Sequence, residues 1–303
     1  MSRVAVLLAA VGLTAIASTA RAQDLEPRAY ANTPVGMNFV LAGYAYSQGG
    51  VVSDPSIPLK NARVDVEGVF VAYARSFGIL GKSGKIAVVA PYAWASGSAE
   101  FQGQRRERVV NGFGDPRVRV SVNFYGAPAM SLEEFAGYRQ NLIVGASVQA
   151  SAPLGQYDRD KLLNIETNRW SVKLELGVSK ALGRFTLEVT PGATFFTDNP
   201  DFLGTRTRTE DPLYSVQGHV IYSFPRGFWG SVDGTWYGGG QTTIDGRPGS
   251  GRQDNTRFGG TLAIPIGRHH SIKLYGSTGA TTRIGTTFDT VGIAWQYRWG
   301  GGL

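Results

Sequence analysis

The sequence predicts an all-β fold: a transmembrane, antiparallel, up-and-down β-barrel of about 12 strands, with short periplasmic turns and long outer loops. Three observations predict it. The chain opens on an export signal, its composition is that of a barrel greasy outside and polar within, and period-two alternation recurs from end to end.

The export signal comes first. Met1, Ser2 and Arg3 make a short basic start, and an apolar stretch follows with Val4, Val6, Leu7, Leu8, Val11, Leu13 and Ile16. Roughly thirteen residues is too short to cross a bilayer as a helix but suits a signal-peptide core. Ala20-Arg21-Ala22 offers the small-x-small pattern that signal peptidase accepts, so residues 1–22 are expected to be cleaved. Residues 23–34 then form a segment expected either in the periplasm or inserted in the lumen, with Arg28 and Tyr30 as candidate contacts, and residues 35–303 form the barrel. Arg3 and Arg21 leave with the signal, so the formal charge falls from +7 to +5. No basic cluster argues for nucleic acid.

Composition narrows the class. With 41 Gly, 13 Tyr, 15 Phe and 6 Trp, but only 17% charged residues, the chain is poorer in charge than soluble domains. No later run reaches the roughly eighteen apolar residues of a membrane helix. The chain has no Cys, which excludes disulfides and thiolate metal sites.

Alternation supplies the strands. Residues 115–125 are the clearest: Val118, Val120, Val122 and Phe124 share one face, and Arg117, Arg119, Ser121 and Asn123 the other. The same two-walled pattern marks 64–73, 170–179, 185–195, 214–224, 271–278 and 290–299. Weaker strands are expected at 37–46, 85–95, 142–151, 228–237 and 257–264. Each is near the spanning length of about nine to eleven residues. Residues 130–138 are the one short helical candidate, with Ser131 and Glu134 spaced as a capping box.

The connections alternate. Short ones are expected at 78–84, 183–184, 225–227 and 267–270, and long polar ones at 47–62, 97–112, 153–168, 198–210 and 238–254. The connection at 126–139 is long on the short-turn side. Tyr44, Tyr46, Tyr92, Trp94, Trp229, Trp236, Tyr237, Trp295 and Trp299 sit near strand ends, as interface girdles do. Pro91 and Pro191 fall inside strands and remove ladder hydrogen bonds there.

Catalytic chemistry has little support. The three His are His219, on a polar strand face, and His269-His270, in a turn followed by Ser271. Adjacency in a turn does not give the Ser–His geometry a hydrolase needs. Asp198-Asn-Pro-Asp201 is too short and generic for a Ca²⁺ loop and reads as turn chemistry. No cofactor is expected. The polar strand faces make the lumen the candidate site. Its inward residues are expected to be Asp65, Glu67, Arg117, Arg119, Asn123, Lys173, Glu175, Glu188, Gln217, His219, Asp233, Arg257 and Lys273. This mixture of acids and bases can either pair and seal the lumen or select solutes by charge.

Several stretches carry a family resemblance. They are 112–138, beginning Gly112-Phe-Gly-Asp-Pro-Arg, with Leu25-Glu-Pro-Arg-Ala-Tyr-Ala-Asn32, Ser151-Ala-Pro-Leu-Gly-Gln-Tyr157 and the ending Phe288-Asp-Thr-Val-Gly-Ile-Ala-Trp-Gln-Tyr-Arg-Trp299. Together they resemble the outer-membrane transporter family called "MetA-pathway of phenol degradation". The resemblance implies passage of phenolic or other aromatic compounds across the outer membrane and carries no site residues with it. A channel for small solutes is therefore the leading expectation. The alternatives are a closed barrel whose outer loops bind a partner and, behind it, an outer-membrane lipid hydrolase. Expected partners are outer-membrane lipid, a small-molecule solute and, during biogenesis, the barrel-assembly machinery.

Overall fold

The computed structural model describes residues 26–52, 59–101, 104–249 and 251–303. The expected signal peptide and residues 23–25 lie outside the described residues. Among the described residues eighteen strands follow in chain order: β1 (Met37–Val52), β2 (Leu59–Ile79), β3 (Lys82–Phe101), β4 (Gln104–Phe113), β5 (Arg117–Tyr125), β6 (Leu142–Ser151), β7 (Ser171–Leu182), β8 (Phe185–Phe196), β9 (Asn199–Phe202), β10 (Arg206–Glu210), β11 (Leu213–Ser223), β12 (Trp229–Gly239), β13 (Thr242–Ile244), β14 (Arg247–Pro248), β15 (Gln253–Ile266), β16 (His270–Thr282), β17 (Gly285–Thr286) and β18 (Asp289–Gly300).

Twelve staves close one antiparallel barrel, with β4 and β5 forming a single interrupted stave. Each stave pairs with its sequence neighbours, and β1 pairs with both β2 and β18. Closure removes the unpaired edge that lipid cannot hydrate. The remaining strands belong to the outer connections: β9, β10, β13 and β14 form a small sheet beyond β8 and β12, and β17 meets the upper end of β1.

Alternation decides which face meets lipid. Val118, Val120 and Phe124 are exposed on the outer wall, whereas Ser121 and Asn123 are buried inside. In β7, Val172, Leu174, Leu176 and Val178 point out while Lys173, Glu175 and Ser179 are buried. This inversion of the soluble pattern is what a lipid solvent requires.

Strand lengths depart from expectation. β2 and β3 run 21 and 20 residues, about twice the spanning length. Their upper halves project beyond the outer rim, where β4 pairs with β3 from Tyr92↔Phe113 to Phe101↔Gln104. The expected loop at 97–112 is therefore mostly ladder. The expected loops at 198–210 and 238–254 likewise contain the small outer sheet.

The two prolines sit where the ladder is broken. β5 pairs with the lower part of β3 up to Val89↔Arg117, and β4 takes over at Tyr92↔Phe113. Pro91 lies at that changeover, and its carbonyl accepts from Gly114 N at 2.9 Å. Pro191 pairs with Val216 on one side and faces a gap on the other, where β7–β8 pairing skips from Glu175↔Gly192 to Val178↔Val189. Proline costs least where no N–H is required.

The short helix α1 (Leu132–Gly137) occupies the long connection on the periplasmic side. Ser131 Oγ accepts from Glu134 N at 3.2 Å, and Ser131 N donates to the Glu134 carboxylate at 2.7 Å, completing the capping box.

Candidate functional site: the barrel lumen

The lumen has two unlike walls. On one side Met37, Phe39 and Leu41 of β1, Phe70, Ala72 and Ala74 of β2, Ala87 and Val89 of β3 and Ala294 of β18 form one apolar cluster. A second cluster continues it toward the outer mouth through Val66, Ala93, Ala95 and Val110, met there by Ile165 and Phe288 of the outer connections. The opposite wall, β5 to β16, carries most of the buried polar side chains.

The structure places Arg117, Arg119, Asn123, Lys173, Glu175, Glu188, Gln217, His219, Asp233, Arg257 and Lys273 on inward faces, all but Arg117 and Arg119 buried below a tenth of their surface. Asp65 and Glu67 are a correction. Both are exposed on the outside of β2, where they accept from Tyr46 and Tyr44 hydroxyls, while Val66 and Phe70 point inward. The strand is apolar on both faces, so alternation alone does not say which side is in. Glu67 pairs with Trp94 in the upper half of β2, and charge on an outer face costs less the farther it lies from the bilayer midplane. Trp229 and Tyr237 are a second correction. Both are fully buried inside rather than in the outer girdle.

Electrostatics tie the polar wall together. Glu175 accepts from Arg119 Nη2 at 2.8 Å and from Lys173 Nζ at 2.7 Å. Glu188 accepts from Ser179 Oγ at 2.8 Å. His219 Nδ1 lies 2.7 Å from Asp233, which also accepts from Ser231 Oγ at 3.0 Å. The hydroxyls near this pair serve the carboxylate, and the His219 Nε2 edge has no hydrogen-bond partner. Arg257 donates to Ser277 Oγ at 2.8 Å.

Residues 26–36 enter this lumen from below. Glu26 pairs with Arg119, and its backbone N–H donates to Gln217 at 3.3 Å. Arg28 N donates to Glu188 at 2.7 Å, and the Arg28 guanidinium lies 5.4 Å from the Trp229 ring centre. Lys85 Nζ donates to the carbonyls of Ala29 and Ala31 at 2.8 and 3.1 Å. Asn123 Nδ2 donates to the Tyr30 carbonyl at 3.0 Å. The Tyr30 ring seats on Gly145 and Gly177, where a Cβ would come within 2.6 and 2.1 Å of it. Two glycines thus make a socket for one aromatic ring.

Lys85 and the two socket glycines are contacts that the sequence did not single out. Lys85 stands alone in an otherwise apolar inward row, which is a signal alternation could have found.

No curated protein matches the chain by sequence. The family described as "Putative MetA-pathway of phenol degradation" matches residues 43–297. The chain belongs to this family. Its barrel resembles the crystal structure of the COG4313 outer membrane channel from Pseudomonas putida F1. The TM-score is 0.75 at 20% identity, over 91% of this chain and 100% of that one. It also resembles the transport unit of the autotransporter AIDA-I from Escherichia coli, with TM-score 0.50 at 10% identity, over 86% and 90% of the two chains. Like these, the family member described here is an outer-membrane β-barrel.

Proposed function

We propose that the protein is a passive outer-membrane channel for small hydrophobic or aromatic solutes, gated by its own N-terminal segment. The observation that carries this is the continuous apolar wall, from Phe39 and Leu41 through Phe70 to Val66 and Ala95. A closed structural barrel gains nothing from lining one side with a greasy track. A channel for poorly hydrated solutes does, because the solute sheds water onto apolar surface as it enters. Facing it, the mixed-charge wall keeps that side of the lumen wettable.

In the described state residues 26–36 fill the lower lumen. Most of their contacts are hydrogen bonds and ion pairs to the wall, which water can replace once the segment withdraws.

The test is conductance in planar bilayers together with uptake of neutral phenols into liposomes. Full-length mature protein should show small or intermittent conductance, and a variant lacking residues 23–32 should be open. A bilayer that stays sealed with the variant, and liposomes that take up no phenol, would overturn the channel and leave a barrel that acts through its outer loops.

A further inference from the structure

The outer connection between β6 and β7, residues 152–170, folds into the barrel mouth. Its Ile165 is buried against Val66, Ala93, Ala95 and Val110, with Leu163 beside it. The same connection covers the break in the wall at Gly114–Pro116. Gln156 N donates to the Phe113 carbonyl at 2.7 Å, and Ala152 N to that of Pro116 at 3.1 Å. Gly155 N donates to Asp115 Oδ1 at 2.9 Å, and Asp115 N to Glu166 Oε1 at 3.0 Å. The connection thus supplies partners where β4 and β5 part company.

At the centre of this seam two carboxyl groups meet. Asp115 is buried, and the Asp115 and Glu166 carboxyl groups pack side by side against Gly155 and Gly114. Two ionised carboxylates held this close in a buried seam repel, and one shared proton relieves the repulsion. We propose that residues 152–170 are an acid-stabilised lid: a proton shared between Asp115 and Glu166 holds the Ile165 tip in the mouth, and its loss releases the tip and exposes the upper apolar wall.

The surroundings favour the shared proton. Burial is the first cause and Asp115 the second in pushing the Glu166 carboxyl up to about 7. The Asp115 carboxyl is also raised, by burial, against the pull of backbone N–H groups and Arg117. Arg117 of β5 is the charged group that faces the pair. Beside Glu166, Gly114 meets Pro91 of β3, and Gly112 of β4 meets Gln156 of the connection; neither Pro91 nor Gln156 titrates. Farther along, Arg108 and Asp158 pair at 3.3 Å and hold the flank of the connection independently of this proton.

The sign follows from linkage. Glu166 binds its proton more tightly with the lid down than with the tip in water, where its affinity is that of an ordinary carboxyl. The lid is therefore firmest at acid pH and loosens as pH rises toward and through about 7.

The natural chain has no Cys, so one introduced thiol reports alone. Ile165→Cys is labelled with a membrane-impermeant maleimide on the full mature chain in liposomes, at pH 5.5 to 8. Rates are divided by those of Val109→Cys, on the exposed outer face of β4, which removes the pH dependence of thiol reactivity itself. The ratio should rise by up to roughly tenfold per pH unit below about pH 7 and level off above it. Adding Glu166→Gln, which keeps a neutral donor beside Asp115, should flatten the ratio at its low-pH value. A ratio flat with pH in the single variant, or still rising with Glu166→Gln, overturns the lid. The labelling requires no solute to pass, so it stands or falls separately from the channel reading.

Discussion

At the residue scale the lumen is decided by a few side chains that tolerate no substitute. Gly177 gives the Tyr30 ring its seat, and any Cβ there would lie 2.1 Å from ring carbons. Gly177→Val should therefore expel Tyr30 rather than compress it, since overpacking costs about 1–3 kcal/mol. The expected outcome is a barrel that still folds but conducts like the variant lacking residues 23–32, measured in planar bilayers. Glu175 is the second such residue. It serves Arg119 and Lys173 together, so Glu175→Ala leaves the buried Lys173 without its carboxylate and Arg119 with Glu26 alone. Breaking a buried pair in this way costs about 3–5 kcal/mol. Denaturant titration in liposomes should show a loss of that order, and Glu175→Gln should recover part of it by keeping hydrogen-bond acceptors in place.

At the element scale the two faces of β5 make opposite predictions. Val120 is exposed on the lipid side and Ser121, its neighbour, is buried inside. Val120→Arg should destabilise the barrel by about 2–4 kcal/mol if it lies near the bilayer midplane. Val120→Leu should be close to neutral. Unfolding in liposomes of defined thickness distinguishes the two, and equal effects would mean the strand is turned the other way. β5 was legible because its two faces differ in kind, Val, Val, Val and Phe against Arg, Arg, Ser and Asn. β2 was not, because Val64, Val66 and Phe70 face a lumen that is itself apolar on that side, while Val69, Val71 and Tyr73 are exposed on the other. With both faces apolar, the side of Asp65 and Glu67 is set by the closed register with β1 and β3. Trp229 misled for a related reason: an aromatic at a strand end has the same spacing whether it meets headgroups or the guanidinium of Arg28 in the lumen.

At the scale of the whole molecule the chain enters its own lumen from both ends, through residues 26–36 below and the Ile165 tip of residues 152–170 above. Acidification should lower conductance in a variant lacking residues 23–32, because the upper lid alone remains and its proton is bound below about pH 7. Conductance at pH 5.5 and 8 measures this, and equal values would show that the upper connection does not obstruct the path.

What the sequence determined by itself is the class of the molecule and the sense of most of its staves. Period-two alternation, aromatic strand ends and alternating connection lengths are local signals, and a lipid solvent outside with polar groups inside makes them legible. Only the tertiary structure decided what the lumen is. The apolar wall, the Tyr30 socket and the seam of Asp115 with Glu166 join residues far apart in the chain. Their roles depend on which staves face each other across the closed ring, and alternation within one strand carries no information about the strand opposite.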